Sequence, residues 1–204
     1  MIAKETGGSF EAAPSGTHVA RCFGLIDMGT QTNSFEGRKT IARKVSIRFE
    51  LPMELQQTGE HEGEPFQLSK TYTLSLHKKA ALRAALESWR SRPFTEEELT
   101  GFDLRKILGA PCMVSVIHNE EGKANIASVS AVVKGLTIPP ARNGEVYFSM
   151  EPGEFSQQVY DGLSEWFRNK IAESPEYKAI KSGKPVSSDH AEEWAPDEDS
   201  IVPF

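Results

Sequence analysis

Paired cysteines, long apolar runs and nucleotide-binding glycine patterns are all missing from this chain of 204 residues. Its two cysteines, Cys22 and Cys112, stand far apart in apolar stretches and share no metal-ligand spacing with any of the five histidines. The pattern predicts buried free thiols in a reducing cytoplasm, with no disulfide framework and no metal site. No apolar run approaches a membrane span, and the opening MIAKETGGSFEAAPSG has no apolar core of the secretory kind. The expectation is a protein neither exported nor inserted. Phosphate-cradling loops and nucleophile elbows are missing too: there is no Gly-x-x-x-x-Gly-Lys-Ser/Thr, no Gly-x-Gly-x-x-Gly after a strand and no Gly-x-Ser-x-Gly. His18, His77 and His118 fall at the ends of predicted elements, where capping suits them better than proton transfer. The sequence therefore predicts a binding protein rather than an enzyme, without cofactor.

Cations are absent from one region. Residues 189–204 hold six of the 29 acids and no Lys or Arg, and the other 23 acids match the 23 bases. The whole net charge of −6 thus sits in the last sixteen residues. A near-neutral body can still present a basic face, across which an acidic segment could lie.

What is present is enough apolar residue, 38%, for a packed core. Residues 1–16 read as a loose arm. Residues 17–27 read as a strand, with Val19, Arg21, Phe23 and Leu25 on one face and Ala20, Cys22, Gly24 and Ile26 on the other. Residues 28–39 read as a polar loop. Residues 40–52 alternate cleanly, which puts Ile41, Val45, Ile47, Phe49 and Leu51 inward and Lys44, Ser46, Arg48 and Glu50 outward. A flexible polar connection, 53–68, precedes a third strand at 69–76. The apolar stripe of 77–90 predicts a helix ended by Pro93. Thr95-x-x-Glu98 predicts a capping box opening a segment, 95–109, that includes a short helix. Two strands, 111–118 and 123–135, are joined by the turn sequence NEEG. Residues 155–180 predict one helix, and residues from 181 on have too little apolar content to fold.

The order, three strands, a helical segment and two strands, predicts a mainly β protein: a five-stranded OB-fold barrel with a helical insertion between strands 3 and 4 and a C-terminal helix. The expected division is an arm over 1–16, the barrel over 17–153, a helical extension over 154–180 and an acidic tail over 181–204.

Cations and rings cluster around the second strand: Arg21 and Phe23 on the first, Phe35, Arg38 and Lys39 in the loop, Arg43, Lys44 and Arg48 on the second, Lys70 and Tyr72 on the third. Binding of unpaired polynucleotide needs this mixture, because cations neutralise phosphates and rings stack on bases. Each has a plainer role available: Lys44 and Arg48 as solubilising groups, Phe23 and Tyr72 as core.

The end of the chain, DEDSIVPF, resembles the acidic tip of bacterial-type single-stranded DNA-binding proteins. The resemblance implies that Asp197, Glu198, Asp199, Ile201, Pro203 and Phe204 dock on partner proteins of replication, recombination and repair. Ser200 and Val202 depart from that pattern. The strings ARCFGLIDMGTQ, KVSIRFELP, GAPCMVSVIH and NIASVSAVVKG, with the later SPEY, resemble phage-encoded single-stranded DNA-binding or replication proteins over most of residues 17–180. That resemblance implies a non-sequence-specific protein of a bacterial host's cytoplasm that coats unwound single-stranded DNA, with self-association left open. Two other readings stand beside it: an interaction module that captures or blocks a host replication factor without binding DNA, and a small phage nuclease.

Overall fold

The computed structural model describes residues 11–35 and 38–183. Strands β1 (Gly16–Phe35) and β2 (Arg38–Leu55) form one long hairpin, and β3 (Pro65–Thr73) follows. Next come helices α1 (Ala81–Arg90) and α2 (Glu96–Thr100), then a single 3-10 turn at Leu104–Ile107. Strands β4 (Pro111–His118), β5 (Ala124–Ser130) and β6 (Val146–Phe148) precede three short helices, α3 (Gln157–Asp161), α4 (Glu165–Glu173) and α5 (Pro175–Ser182). The protein is mainly β. The sheet path runs β3-β2-β1-β4-β5 with antiparallel neighbours, and β6 adds to β1 in parallel at Gly24–Ile26. The two ends of the path approach each other, for Lys70 Nζ on β3 donates to the Ile126 carbonyl on β5 at 3.0 Å.

The inner face of the sheet holds the main core. Val45, Ile47, Phe49 and Leu51 lie there as the alternation of β2 predicts, with Cys112, Val114 and Val116 of β4 and Ile126 and Val129 of β5. Helix α1 sets Leu82, Leu86 and Trp89 against this core. The Trp89 ring lies 5.7 Å from that of Phe49, and its indole N–H donates to the Pro111 carbonyl at 2.8 Å. A buried indole needs such a partner for its polar tip. Cys22 and Cys112 are both buried free thiols, and burial pushes the Cys22 thiol up to about 12. Neither is poised as a nucleophile.

The predicted capping box is present at α2. The Thr95 side chain accepts from Glu98 N, and the Glu98 carboxylate accepts from Thr95 N at 3.0 Å. That carboxylate also accepts from Arg92, at 2.9 and 2.7 Å, and from Arg90. The Arg92 bond, then the Thr95 amide and Arg90, hold it at about 2, below its ordinary 4.5. A carboxylate depressed on folding adds stability above its unfolded value and loses it as pH falls through the folded one. Glu98→Gln should therefore flatten the fall of the thermal midpoint between about pH 4.5 and about pH 2. An unchanged acid limb would contradict this.

The sequence reading is corrected in five places. First, β1 does not alternate simply: bulges between Cys22 and Gly24 and between Asp27 and Gly29 shift its phase. Ala20, Cys22 and Leu25 consequently share the inner core, whereas Ile26 and Met28 face the other way. Second, residues 28–35 and 38–39 are not loop but hairpin arms, with Thr30 to Phe35 paired to Arg43 to Arg38. This hairpin outruns the core, so Ile41, inward by alternation, is 47% exposed. Third, the expected connection at 53–68 is shorter: β2 runs to Leu55 and β3 starts at Pro65, and only residues 56–64 connect them, closed by backbone bonds of Gln56 with Gly63 and Glu64. Fourth, the single helix expected at 155–180 is three. Gly162 follows α3, and Ser174 is extended before Pro175, which disfavours helical geometry in the residue preceding it. Proline then serves as the first residue of α5, with the Ser174 hydroxyl accepting from Tyr177 N at 3.2 Å.

The fifth correction bears most on function. The outward face of β2 is not open to water: Ser46 and Glu50 have no exposed surface. A second apolar cluster, with Ile26, Met28, Phe148, Met150, Tyr160, Leu163, Phe167 and Ile171, packs the C-terminal segment onto the outer face of β1. Three carboxylates fasten it. Glu50 accepts from the amides of Arg142 and Asn143 and from the Asn143 side chain at 2.6–3.3 Å. Asp27 accepts from Met150 N at 3.0 Å, and Glu176 from Thr30 N at 2.9 Å. Gly29, at φ +67°, lets the α4–α5 junction seat closely, since a Cβ there would stand 2.5 Å from the Ser174 side chain.

Candidate nucleic-acid interface

The expected interface residues have unequal fates. Arg48 lies over the Phe23 ring at 4.6 Å and the Phe167 ring at 5.6 Å, and its guanidinium donates to Gln67 Oε1 at 3.0 Å. Gly24 makes this possible, for a Cβ there would lie 3.0 Å from the Arg48 stem. Burial lowers the Arg48 pKa. A guanidinium stays charged throughout the working range, so the aromatic faces supply part of the stabilisation that water would give it. Phe23, 4% exposed, and Tyr72, 3% exposed, have no ring face for a base. Both take the plainer role, as core.

Arg21 donates to the carbonyls of Pro139 at 2.8 Å and Gly109 at 2.9 Å, tying two loops to β1. Arg43 pairs with Asp27 at 2.5 Å and Glu151 at 2.7 Å. Lys70 bridges to β5 and lies 5.8 Å from the Tyr72 ring. These four cations, Arg48 included, hold the fold together.

Lys39 and Lys44 remain on the hairpin. Lys39 is exposed, and Lys44 is half-buried with its ammonium donating to Thr73 Oγ1 at 2.7 Å. By alternation they lie on opposite faces of the projecting ribbon, Lys39 on the same face as the exposed Ile41. The side chains of Phe35 and Arg38, at the turn, and all of Asp197, Glu198, Asp199, Ile201, Pro203 and Phe204 lie outside the described residues.

Sequence reasoning missed the exposed face of α4. Trp166 and Phe167 are adjacent apolar residues, and adjacent helical residues point about 100° apart. Phe167 is buried at 6%, whereas Trp166 is 56% exposed. That adjacency was the available signal. Lys170 lies one turn further on the same face, its side chain 44% exposed and 3.1 Å from Glu173. Its carbonyl accepts from Gln31 Nε2 at 3.0 Å, which joins the end of α4 to the hairpin stem.

Other surfaces suit a polyanion less. The outer side of β1 and β4 carries Thr17, Val19, Met113, Ser115 and Ile117, and Arg21 on the same face of β1 is tied to loop carbonyls; Thr17 and Ser115 bond across it at 3.2 Å. A shallow groove beside Met53 is flanked by two carboxylates, Glu11 and Glu54. Among the described residues there is no cluster of His, Cys, Asp or Glu placed to hold a metal, and no helix long and apolar enough to cross a membrane. No protein-family model, no curated protein and no solved structure matches the chain.

Proposed function

We propose that the protein binds single-stranded DNA without sequence preference, on an OB-fold barrel, as a phage-type coating protein of replication and recombination in a bacterial host. The observation that carries the reading is topological. The path β3-β2-β1-β4-β5, with Lys70 reaching from β3 to β5 and helix α1 packed on the core between β3 and β4, supports a small Greek-key barrel. In such barrels the loop between strands 1 and 2 is a common binding element, and here it is a long ribbon carrying Lys39 and Lys44. Polynucleotide would wrap around this ribbon and reach the adjoining α4, its phosphates met by Lys39 on one face of the ribbon, Lys44 on the other and Lys170 on the helix. No bond is made or broken in this role.

The acidic segment 189–204 supplies the second half of the proposal. Acids followed by Ile-Val-Pro-Phe suit docking into an apolar pocket rimmed by cations on a partner protein. Fluorescence anisotropy with labelled oligo-dT, on the full chain and on a chain lacking 189–204, tests both halves. The full chain should bind single strands more tightly than duplex, and the shortened chain should bind at least as well because a competing polyanion is gone. No binding by the full chain would favour the interaction-module reading. Weaker binding after truncation would contradict the role given to the acidic segment.

A further inference from the structure

We infer that Trp166 is a base-stacking platform, and that its indole accounts for a preference for unpaired over paired strands. The inference rests on the single-stranded DNA reading and adds a residue and a selectivity to it. Trp166 is the one Phe, Trp or Tyr among the described residues whose side chain is exposed; every other is buried or half-buried. A large apolar ring left in water gains nothing from the fold, but its free face is what an unstacked base requires.

The ring is also held in place. Its neighbour Phe167 meets it edge-on, with centroids 5.0 Å apart and planes at 80°. Phe167 backs onto Arg48, and Arg48 onto Phe23 of β1. Tryptophan, phenylalanine, arginine and phenylalanine thus form a continuous line of contacts rooted in the sheet, so the outermost ring is pre-positioned for a ligand. Asn169 and Lys170 lie three and four residues on, beside Trp166 on the helix surface, and offer an amide and an ammonium near a stacked nucleotide. Bases in a duplex already stack on one another and expose no face. A strand without a partner can place one on the indole, and stacking of this kind accepts any base.

The test uses the full chain, Trp166→Ala and Trp166→Phe, with oligo-dT and with duplex at fixed salt. Trp166→Ala should weaken single-strand binding about 5- to 150-fold, the range expected for one stacked base. The salt slope should be unchanged, because no phosphate contact is lost, and duplex binding should change little. Trp166→Phe should keep most of the affinity yet lose the quenching of indole fluorescence that oligo-dT causes in the parent. The thermal midpoint of each variant verifies folding, and the quenching readout on Trp166→Phe serves if Trp166→Ala unfolds. Parent-like affinity in Trp166→Ala with parent-like quenching in Trp166→Phe would overturn the inference alone. A lower oligomer mass in Trp166→Ala with DNA binding intact would overturn it by making the ring a protein contact. A parent that binds no single strand would remove the functional reading and the inference with it.

Discussion

Replacing Lys39, Lys44 and Lys170 together by alanine should weaken oligo-dT binding about 100-fold near 0.1 M salt and lower the salt slope by about 2. The estimate follows from counterion release: each phosphate neutralised on a single strand adds about 0.7 to the slope, hence roughly a factor of five in affinity at that salt. None of the three lies in either buried cluster, so the variant should keep the parent's thermal midpoint within a few degrees. Titrations at several salt concentrations, with a thermal scan, check both statements. A full slope with reduced affinity would mean that the loss is not electrostatic. Unchanged affinity would move the interface elsewhere. Arg48 and Lys70 are left out of this set because both hold the fold: Arg48 lies between Phe23 and Phe167, and Lys70 bridges β3 to β5.

The second large effect concerns the seam between the sheet and the C-terminal segment. Glu50 has no exposed surface, and its carboxylate is bonded by the amides of Arg142 and Asn143 and by the Asn143 side chain. Glu50→Ala would strand two backbone donors and leave a void. At about 1–3 kcal/mol for each unsatisfied buried group, the loss should total roughly 2–6 kcal/mol. For a domain of this size that lowers the thermal midpoint by about 5–15 °C. Glu50→Gln, which keeps an acceptor oxygen of similar shape, should fall between the parent and the alanine variant. If the alanine variant melts with the parent, the buried carboxylate is not a fastener.

The case of Glu50 also marks the limit of what the sequence makes legible. The strict alternation of residues 44–51 gave the inner face correctly, since Val45, Ile47, Phe49 and Leu51 all lie in the core. Alternation says which residues point together, but not whether the opposite face meets water or another layer. Lys44, Ser46, Arg48 and Glu50 read as solvated because their side chains are polar, yet Glu50 is satisfied by amides from 92 and 93 residues away. No local pattern announces such a bond.

The bulges of β1 were hidden for a related reason: one residue of slippage inverts every later assignment, and Gly24 and Gly29 were the only hints. The capping box at Thr95 and the turn after His118 were legible because their chemistry is complete within four residues. In the turn, the Asn119 side chain accepts from the amides of Glu121 and Lys123 at 3.1 and 2.9 Å. The candidate interface was half legible. The cations of the hairpin could be read as a cluster, but their separate uses, ion pair, loop tie and free surface, depend on partners far away in sequence.

The most direct test of the central claim is equilibrium binding of the full chain to labelled oligo-dT at low and at moderate salt, with unlabelled duplex as competitor. The account predicts saturable binding that weakens steeply with salt and that duplex of the same length displaces poorly. Binding absent at low salt, or displaced equally well by duplex, would contradict it.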